Sequence, residues 1–244
     1  MSVKLFQFAI SHYCEKARWA LDYKGISYET VNLLPGTHIK TIRQLADKSS
    51  VPVLDHDGRV VQGSAAIIDY LDETFPDQPL TPADPELREQ ALAWEQRLDE
   101  QAGIAVRCYC YHYLLKKPDL VVPLLAAQKP MVYRWGMRLG FSRLEEGMRQ
   151  WMKINDRTAA KAQVTMEKTL ADLAEAYGKS PYLVGDSFSR ADLTAAALFS
   201  PMFQPPQYPV PWPDPKKLPA DMQWWLDKHQ AQLKPLETLY REHR

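Results

Sequence analysis

The sequence predicts an α/β domain built on a mixed four-stranded sheet, followed by an all-α domain. Three observations carry this. Residues 1–75 alternate between a strand period and a helix period. Phe75-Pro76-Asp77-Gln78-Pro79-Leu80-Thr81-Pro82 is a proline-rich break. Beyond it the strand signals vanish and helical patterns take over. The expected division is a first domain over 1–76, a linker over 77–84 and a helical domain over 85–244.

An apolar run, Val3-Lys4-Leu5-Phe6-Gln7-Phe8-Ala9-Ile10, predicts a strand near Lys4–Phe8. Ser11-His12-Tyr13-Cys14 is the turn after it, and an amphipathic helix follows near Cys14–Lys24, stopped by Gly25. A second strand is expected at Tyr28–Asn32, a loop at Leu34–His38 and a short helix at Ile39–Ala46. Val53–Asp55 and Val60–Gln62 read as two strands joined by Asp57-Gly58, a hairpin turn. Ser64–Thr74 predicts a helix with Ile67, Ile68 and Leu71 on one side. This β-α-β-α-β-β-α order is that of a thioredoxin-like domain.

The second domain is read as a long helical stretch over 85–115 and shorter helices over 118–150. A helix over 156–177 is expected to end at Gly178. Ser189-Arg190-Ala191-Asp192 fits a capping box with Asp in place of Glu and opens another helix. Eight prolines between 201 and 219 preclude a regular helix there. A terminal pair of helices is expected at about 220–229 and 233–242.

Bulk properties bound the function. Of 244 residues 45% are hydrophobic, enough for a sizeable core. Thirty Lys and Arg balance thirty Asp and Glu, so no overall field draws the chain to nucleic acid or to a membrane. Three cysteines, an odd and small number, argue against a disulfide framework and for a reducing compartment. No leader segment is expected, and no apolar run approaches the ~20 residues of a membrane span. A cytoplasmic protein is the expectation.

The chemistry concentrates at Ser11-x-x-Cys14. The spacing is that of a redox C-x-x-C motif with serine replacing the first cysteine. A helix N-terminus carries free N–H groups and partial positive charge, and so favours a thiolate. A free thiol of pKa about 8.5 is only a few per cent ionised at neutral pH. Lowering it two units takes about 2.7 kcal/mol. A hydroxyl hydrogen bond to a charged group supplies about 1.5–3 kcal/mol. The plainer readings are an N-cap serine for Ser11 and a small buried apolar residue for Cys14. Cys108-x-Cys110-x-His112 is not expected to hold a metal, because Cys110 leaves the face that Cys108 and His112 share.

Ser11–Leu21 resembles the start of the first helix in cytosolic glutathione transferases of the serine/cysteine type. Val51-Pro52-Val53-Leu54 resembles that family's cis-proline turn, and Gly63–Leu71 its E-S-x-A-I-x-x-Y-L element. Tyr182–Leu193 resembles its C-terminal capping motif. The resemblance is dense over 4–75 and 182–200 and thin over 100–180. It implies glutathione as co-substrate, no metal, a small hydrophobic electrophile or a peroxide as acceptor, a detoxification role and a homodimer.

The resemblance also implies site roles. Ser11 would activate the thiol, with Tyr13 and Cys14 as the other catalytic candidates. Val51, ahead of Pro52, would pair with the glutathione backbone. Ser64 would hold the γ-glutamyl carboxylate, while His38, Lys40 and Arg43 are candidates for the glycine carboxylate. Gly63 stands where the family carries an acid or glutamine, with Gln62 one place earlier and on the opposite face of the strand. Arg107, Tyr109, Tyr111, His112 and Tyr113 are the expected acceptor site, with Trp135, Met137 and Phe141 as possible additions. Tyr208 and Trp212 would lid the cleft or cover the core. Two rival functions are a thiol-disulfide oxidoreductase using Cys14 and a non-catalytic interaction module. Gly63 is the residue that favours the module.

Overall fold

The computed structural model describes residues 2–244. The first domain runs β1 (Val3–Gln7), α1 (His12–Tyr23), β2 (Glu29–Asn32), α2 (His38–Arg43), β3 (Val53–His56), β4 (Arg59–Gln62) and α3 (Ser64–Thr74). The sheet order is β2-β1-β3-β4. β1 and β2 are parallel, with Leu5 opposite Thr30, and the other pairs are antiparallel, with Leu5 opposite Leu54. β1 alternates buried and half-buried residues, as a strand with one face on the core should. Asp57 and Gly58 both have positive φ, the geometry of the predicted hairpin turn.

The second domain holds α4 (Pro85–Arg97), a π-helical turn (Leu98–Gly103), α5 (Ile104–Leu114), α6 (Pro118–Leu125), α7 (Met131–Leu139), α8 (Phe141–Trp151), α9 (Asp156–Lys179), α10 (Arg190–Phe203) and α11 (Ala220–His243). Two expectations are corrected here. α9 runs through Gly178 and stops at Ser180, whose extended backbone precedes Pro181. The expected terminal pair is one helix, α11, with Pro235 inside it. The capping box at Ser189 and Asp192 is present: Ser189 Oγ and N–H both meet the Asp192 carboxylate.

The expected long helix over 85–115 is continuous but carries the π turn, and that turn receives α1. A π turn shifts carbonyls out of the i+4 ladder. Tyr13 Oη donates to the Asp99 carbonyl at 2.6 Å, and His12 Nε2 lies 3.0 Å from the Gly103 carbonyl. The fit is close, because a Cβ on Gly103 would lie 2.3 Å from the Tyr13 hydroxyl.

α1 is not a solvent-facing amphipathic helix. Three of its four charged residues, Glu15, Lys16 and Arg18, are buried between the domains. Lys16 Nζ sits 2.8 Å from Glu95 and 2.7 Å from Asp99. Arg190 pairs with Asp69 at 2.5 Å and with Glu95 at 2.6 Å. Glu15 meets Arg18, Arg244 and the Tyr240 hydroxyl. Trp19 Nε1 donates to the His243 carbonyl at 2.7 Å. The C-terminal helix is thereby stapled to the first domain.

Burial pushes the His12 pKa down to about 3, with the Arg107 charge acting the same way and the Gly103 carbonyl opposing both. The unfolded histidine titrates near 6.5, so the unfolded state binds the extra proton as pH falls. Stability is fully present above pH 6.5 and is lost toward pH 3, by up to about 1.4 kcal/mol per unit. His12→Gln, which retains a donor for Gly103, is expected to flatten the fall in Tm over that window. An unchanged pH profile would show that His12 does not titrate on unfolding.

Candidate functional site

A cavity of about 520 Å³ opens between the two domains. Ser11 stands on its floor as the N-cap of α1, with its Oγ accepting the Cys14 N–H at 3.3 Å. The cap uses one of the hydroxyl's lone pairs and leaves its proton for another acceptor. The Ser11 N–H is itself held by the Phe8 carbonyl at 3.0 Å. The serine is thus fixed by the turn that ends β1.

The other two catalytic candidates are placed differently. The Tyr13 ring lines the cavity, but its hydroxyl is committed to Asp99, and burial raises its pKa well above the phenol range. Cys14 is fully buried. Burial pushes its thiol up, and the Arg18 charge and Ser11 hydroxyl only partly offset that. A thiol in that setting is protonated and shielded.

Val51 lines the cavity beside Ser50, and the Val51-Pro52 bond is cis. Gln62 is not directed at a ligand. Its side chain takes the Lys48 N–H and donates to the carbonyls of Lys48 and Ser50, bracing the loop that carries Val51. Gly63 has φ 101°, a region that penalises side chains, and it donates to the Pro52 carbonyl at 3.0 Å. That φ accounts for the glycine. Ser64 opens α3 directly behind and is buried.

Of the three cation candidates after β2, His38 lines the cavity. Its ring is buried, edge-on to Phe8, and neither ring nitrogen has a hydrogen-bond partner. Burial lowers its pKa, which favours the neutral ring. Lys40 is exposed away from the cavity, and Arg43 donates to the Asp47 carbonyl.

The predicted acceptor residues divide by helical face. Arg107 and Tyr111 line the cavity, together with Cys110 and Leu114, at i, i+3, i+4 and i+7. Tyr109, His112 and Tyr113 belong to the opposite face and are corrected out of the wall. Tyr109 packs against Trp225 and Tyr113, while His112 meets Lys116 and Asp156. The motif was read as a block when the helix period sorts it into two faces. Cys110 lies 3.7 Å from the Met202 sulfur, and burial pushes its thiol up to about 12. Among the described residues no group of three or more His, Cys, Asp or Glu is placed to hold a metal ion.

Trp135 and Phe141 are also outside the wall: Trp135 is exposed, Phe141 is core, and Met137 packs on the core edge. The wall opposite Ser11 is instead α8, through Arg143, Leu144, Gly147, Met148 and Trp151. Short helices were expected over 118–150, but no face of them was assigned to the cavity. The spacing 144, 147, 148, 151 was the signal that could have found it. Trp212 lines the cavity, whereas Tyr208 is buried with its hydroxyl on the Ile10 carbonyl.

Comparison with known proteins completes the picture. The family model described as the glutathione S-transferase N-terminal domain matches residues 5–79. The model for the glutathione S-transferase C-terminal domain matches 121–226. The chain belongs to the glutathione S-transferase family.

Among relatives of this transferase-family chain, Protein LigF from Sphingobium sp. strain SYK-6 is 26% identical over 242 residues, covering 95% of this chain and 90% of that protein. Glutathione S-transferase U7 from Arabidopsis thaliana is 35% identical over 100 residues, covering 41% of this chain and 44% of that protein. This chain spans about half the length of the first curated relatives it matches. Among solved structures, the crystal structure of beta-etherase LigF from the same Sphingobium strain superimposes with TM-score 0.60 at 24% identity, covering 98% of this chain and all of that one. A glutathione S-transferase from Rhodospirillum rubrum gives TM-score 0.64 at 19% identity, covering 98% and 88%. These likenesses carry the fold: a four-stranded mixed sheet domain followed by a helical one.

Proposed function

We propose that this chain is a serine-type glutathione transferase that transfers the glutathione sulfur to an apolar electrophile. The observation that carries the reading is one cavity that joins the Ser11 hydroxyl at a helix N-terminus to the Val51 backbone and to an apolar wall. Glutathione would extend along Val51 with its thiol at Ser11. Ser64 and the N-terminus of α3 would take the γ-glutamyl carboxylate. His38, with both ring nitrogens unpartnered, would meet the glycine end.

In the step itself, the thiolate held by the Ser11 O–H attacks an electrophilic atom. A new bond to sulfur forms, and the leaving group departs with its electron pair. Arg107, close enough to depress the His12 pKa, would steady the charge that develops near the sulfur. Carbon electrophiles, ethers and peroxides are the acceptor classes to compare. An ether belongs among them because one structural neighbour is described as a beta-etherase. A homodimer and a cytoplasmic location accompany this reading, and native mass and cell fractionation test them.

Ultraviolet difference titration with millimolar glutathione at neutral pH tests the reading directly. A saturable thiolate absorbance is expected. Its absence would leave the non-catalytic module as the better account. The oxidoreductase rival is disfavoured by the burial of Cys14.

The acceptor wall has its own test. Gly147 lines the cavity within α8, and a Cβ there meets nothing within 4 Å. Gly147→Trp is therefore expected to fold and to fill the cavity. KM for bulky acceptors should rise about ten-fold or more, a loss of at least ~1.4 kcal/mol of binding. The thiolate signal should be unchanged. Equal loss for small and bulky acceptors would place the acceptor elsewhere.

A further inference from the structure

α7 is an amphipathic helix turned inside out. None of its residues is buried. Met131, Val132, Trp135 and Leu139 fall within an arc of about 100° on the helix, with Met137 nearly opposite. Met137 packs against the core, whereas the four others are 61%, 69%, 70% and 91% exposed. A surface helix ordinarily turns its apolar arc inward. Exposed apolar residues one at a time need no explanation, but four on one face do.

The same segment breaks the chain's charge balance. Of thirty Lys and Arg, eight lie in 129–161, against three of thirty Asp and Glu, so the segment is +5 and the remainder −5. Arg138 is paired with Asp119 and Arg149 with Glu145. The other six make no ion pair among the described residues: Lys129, Arg134, Arg143, Lys153, Arg157 and Lys161. Arg149, Lys153, Arg157 and Lys161 line one open groove with Gln150, Asn155 and Thr158, and among the described residues only Arg149 of these cations is paired with a carboxylate, Glu145. An apolar arc flanked by cations is the composition of a helix that lies in a membrane interface, with its apolar side in the acyl boundary and its cations among phosphates.

We propose that α7 and the basic groove after α8 dock this chain on an anionic lipid surface, the apolar arc of α7 entering the interface and the groove cations meeting headgroup phosphates. The overall neutrality of the chain conceals this, because the expectation of no membrane contact rested on net charge and on the absence of a spanning segment. Neither bears on a segment that lies on the surface.

Co-sedimentation of the full chain with vesicles tests the proposal. Binding is expected to mixed phosphatidylcholine and phosphatidylglycerol vesicles and to be weakened by salt, with little to phosphatidylcholine alone. Trp135→Ser combined with Leu139→Ser should lower the bound-to-free ratio about ten-fold or more while keeping Tm and the glutathione thiolate signal, since both side chains are exposed and outside the cavity. Lys153→Glu with Arg157→Glu should do the same from the groove. Wild type remaining in the supernatant, equal binding to neutral vesicles, or unaltered binding by the double variants would overturn the proposal. So would a dimer in solution that Trp135→Ser with Leu139→Ser converts to monomer, because a second copy would then cover this face.

Discussion

Ser11→Ala is expected to cut kcat/KM by roughly 10- to 150-fold while leaving folding intact. The figure follows from losing one hydrogen bond to a charged sulfur, about 1.5–3 kcal/mol. The lost Cys14 N–H cap adds a stability cost of about 1 kcal/mol. The thiolate absorbance at neutral pH should fall with activity, because the apparent pKa of bound glutathione rises. Cys14→Ala supplies the contrast. Its sulfur is buried with a raised pKa, so activity should be nearly retained while stability drops by about 1 kcal/mol. The reverse pattern, with Cys14→Ala dead and Ser11→Ala active, would replace the transferase reading with a thiol-disulfide mechanism. Loss in neither variant would move thiol activation to the α1 N-terminus itself or to Arg107.

Lys16→Met is expected to destabilise the chain by about 3–5 kcal/mol, read as a lower midpoint in urea. The Lys16 side chain is wholly buried and lies between Glu95 and Asp99. Removing it leaves two carboxylates facing each other at the domain interface. Arg190 still neutralises Glu95, which places the effect toward the low end of that range. Asp99 is the exposed weakness: burial already raises its pKa, with Lys16 working against that. Asp99→Asn in the Lys16→Met background should therefore recover part of the loss. A change under about 1 kcal/mol in Lys16→Met would show that water reaches this interface and screens the network.

Much of the first domain was legible because its cues are local. Alternation in Val3–Gln7, the Asp57-Gly58 turn and the helix over Ser64–Thr74 each depend on neighbours within a few residues. The Ser11 cap was legible for the same reason: a serine between an apolar run and a helical pattern caps the helix whatever lies beyond. Gly63 was legible only as a departure. Its meaning, a backbone at φ 101°, appears once the chain is folded.

The helical domain was harder to read. Its helices are sorted by which face meets which neighbour, and sequence proximity misleads there. Tyr109, Tyr111 and Tyr113 look alike in the chain, yet Tyr111 faces the cavity while Tyr109 packs on Trp225 of α11 and on Tyr113. Short helices were expected over 118–150, but not that α8 would face the cavity, where its glycine, Gly147, leaves room. The expected gap between 229 and 233 is absent: α11 runs on through it and through Pro235, buried along enough of its length to absorb one missing hydrogen bond.

By itself the sequence determined the order of elements, the sheet domain, the turn chemistry and the cap that presents Ser11. These follow from periodicity and from residues acting within one turn of themselves. Tertiary structure alone decided that Glu15, Lys16 and Arg18 are buried in ion pairs, that Cys14 is sealed from solvent, and that α7 turns its apolar arc outward. Burial is a property of what packs against a residue, and the partners of Lys16 and Glu15 beyond α1 lie from about eighty to more than two hundred positions away in the chain.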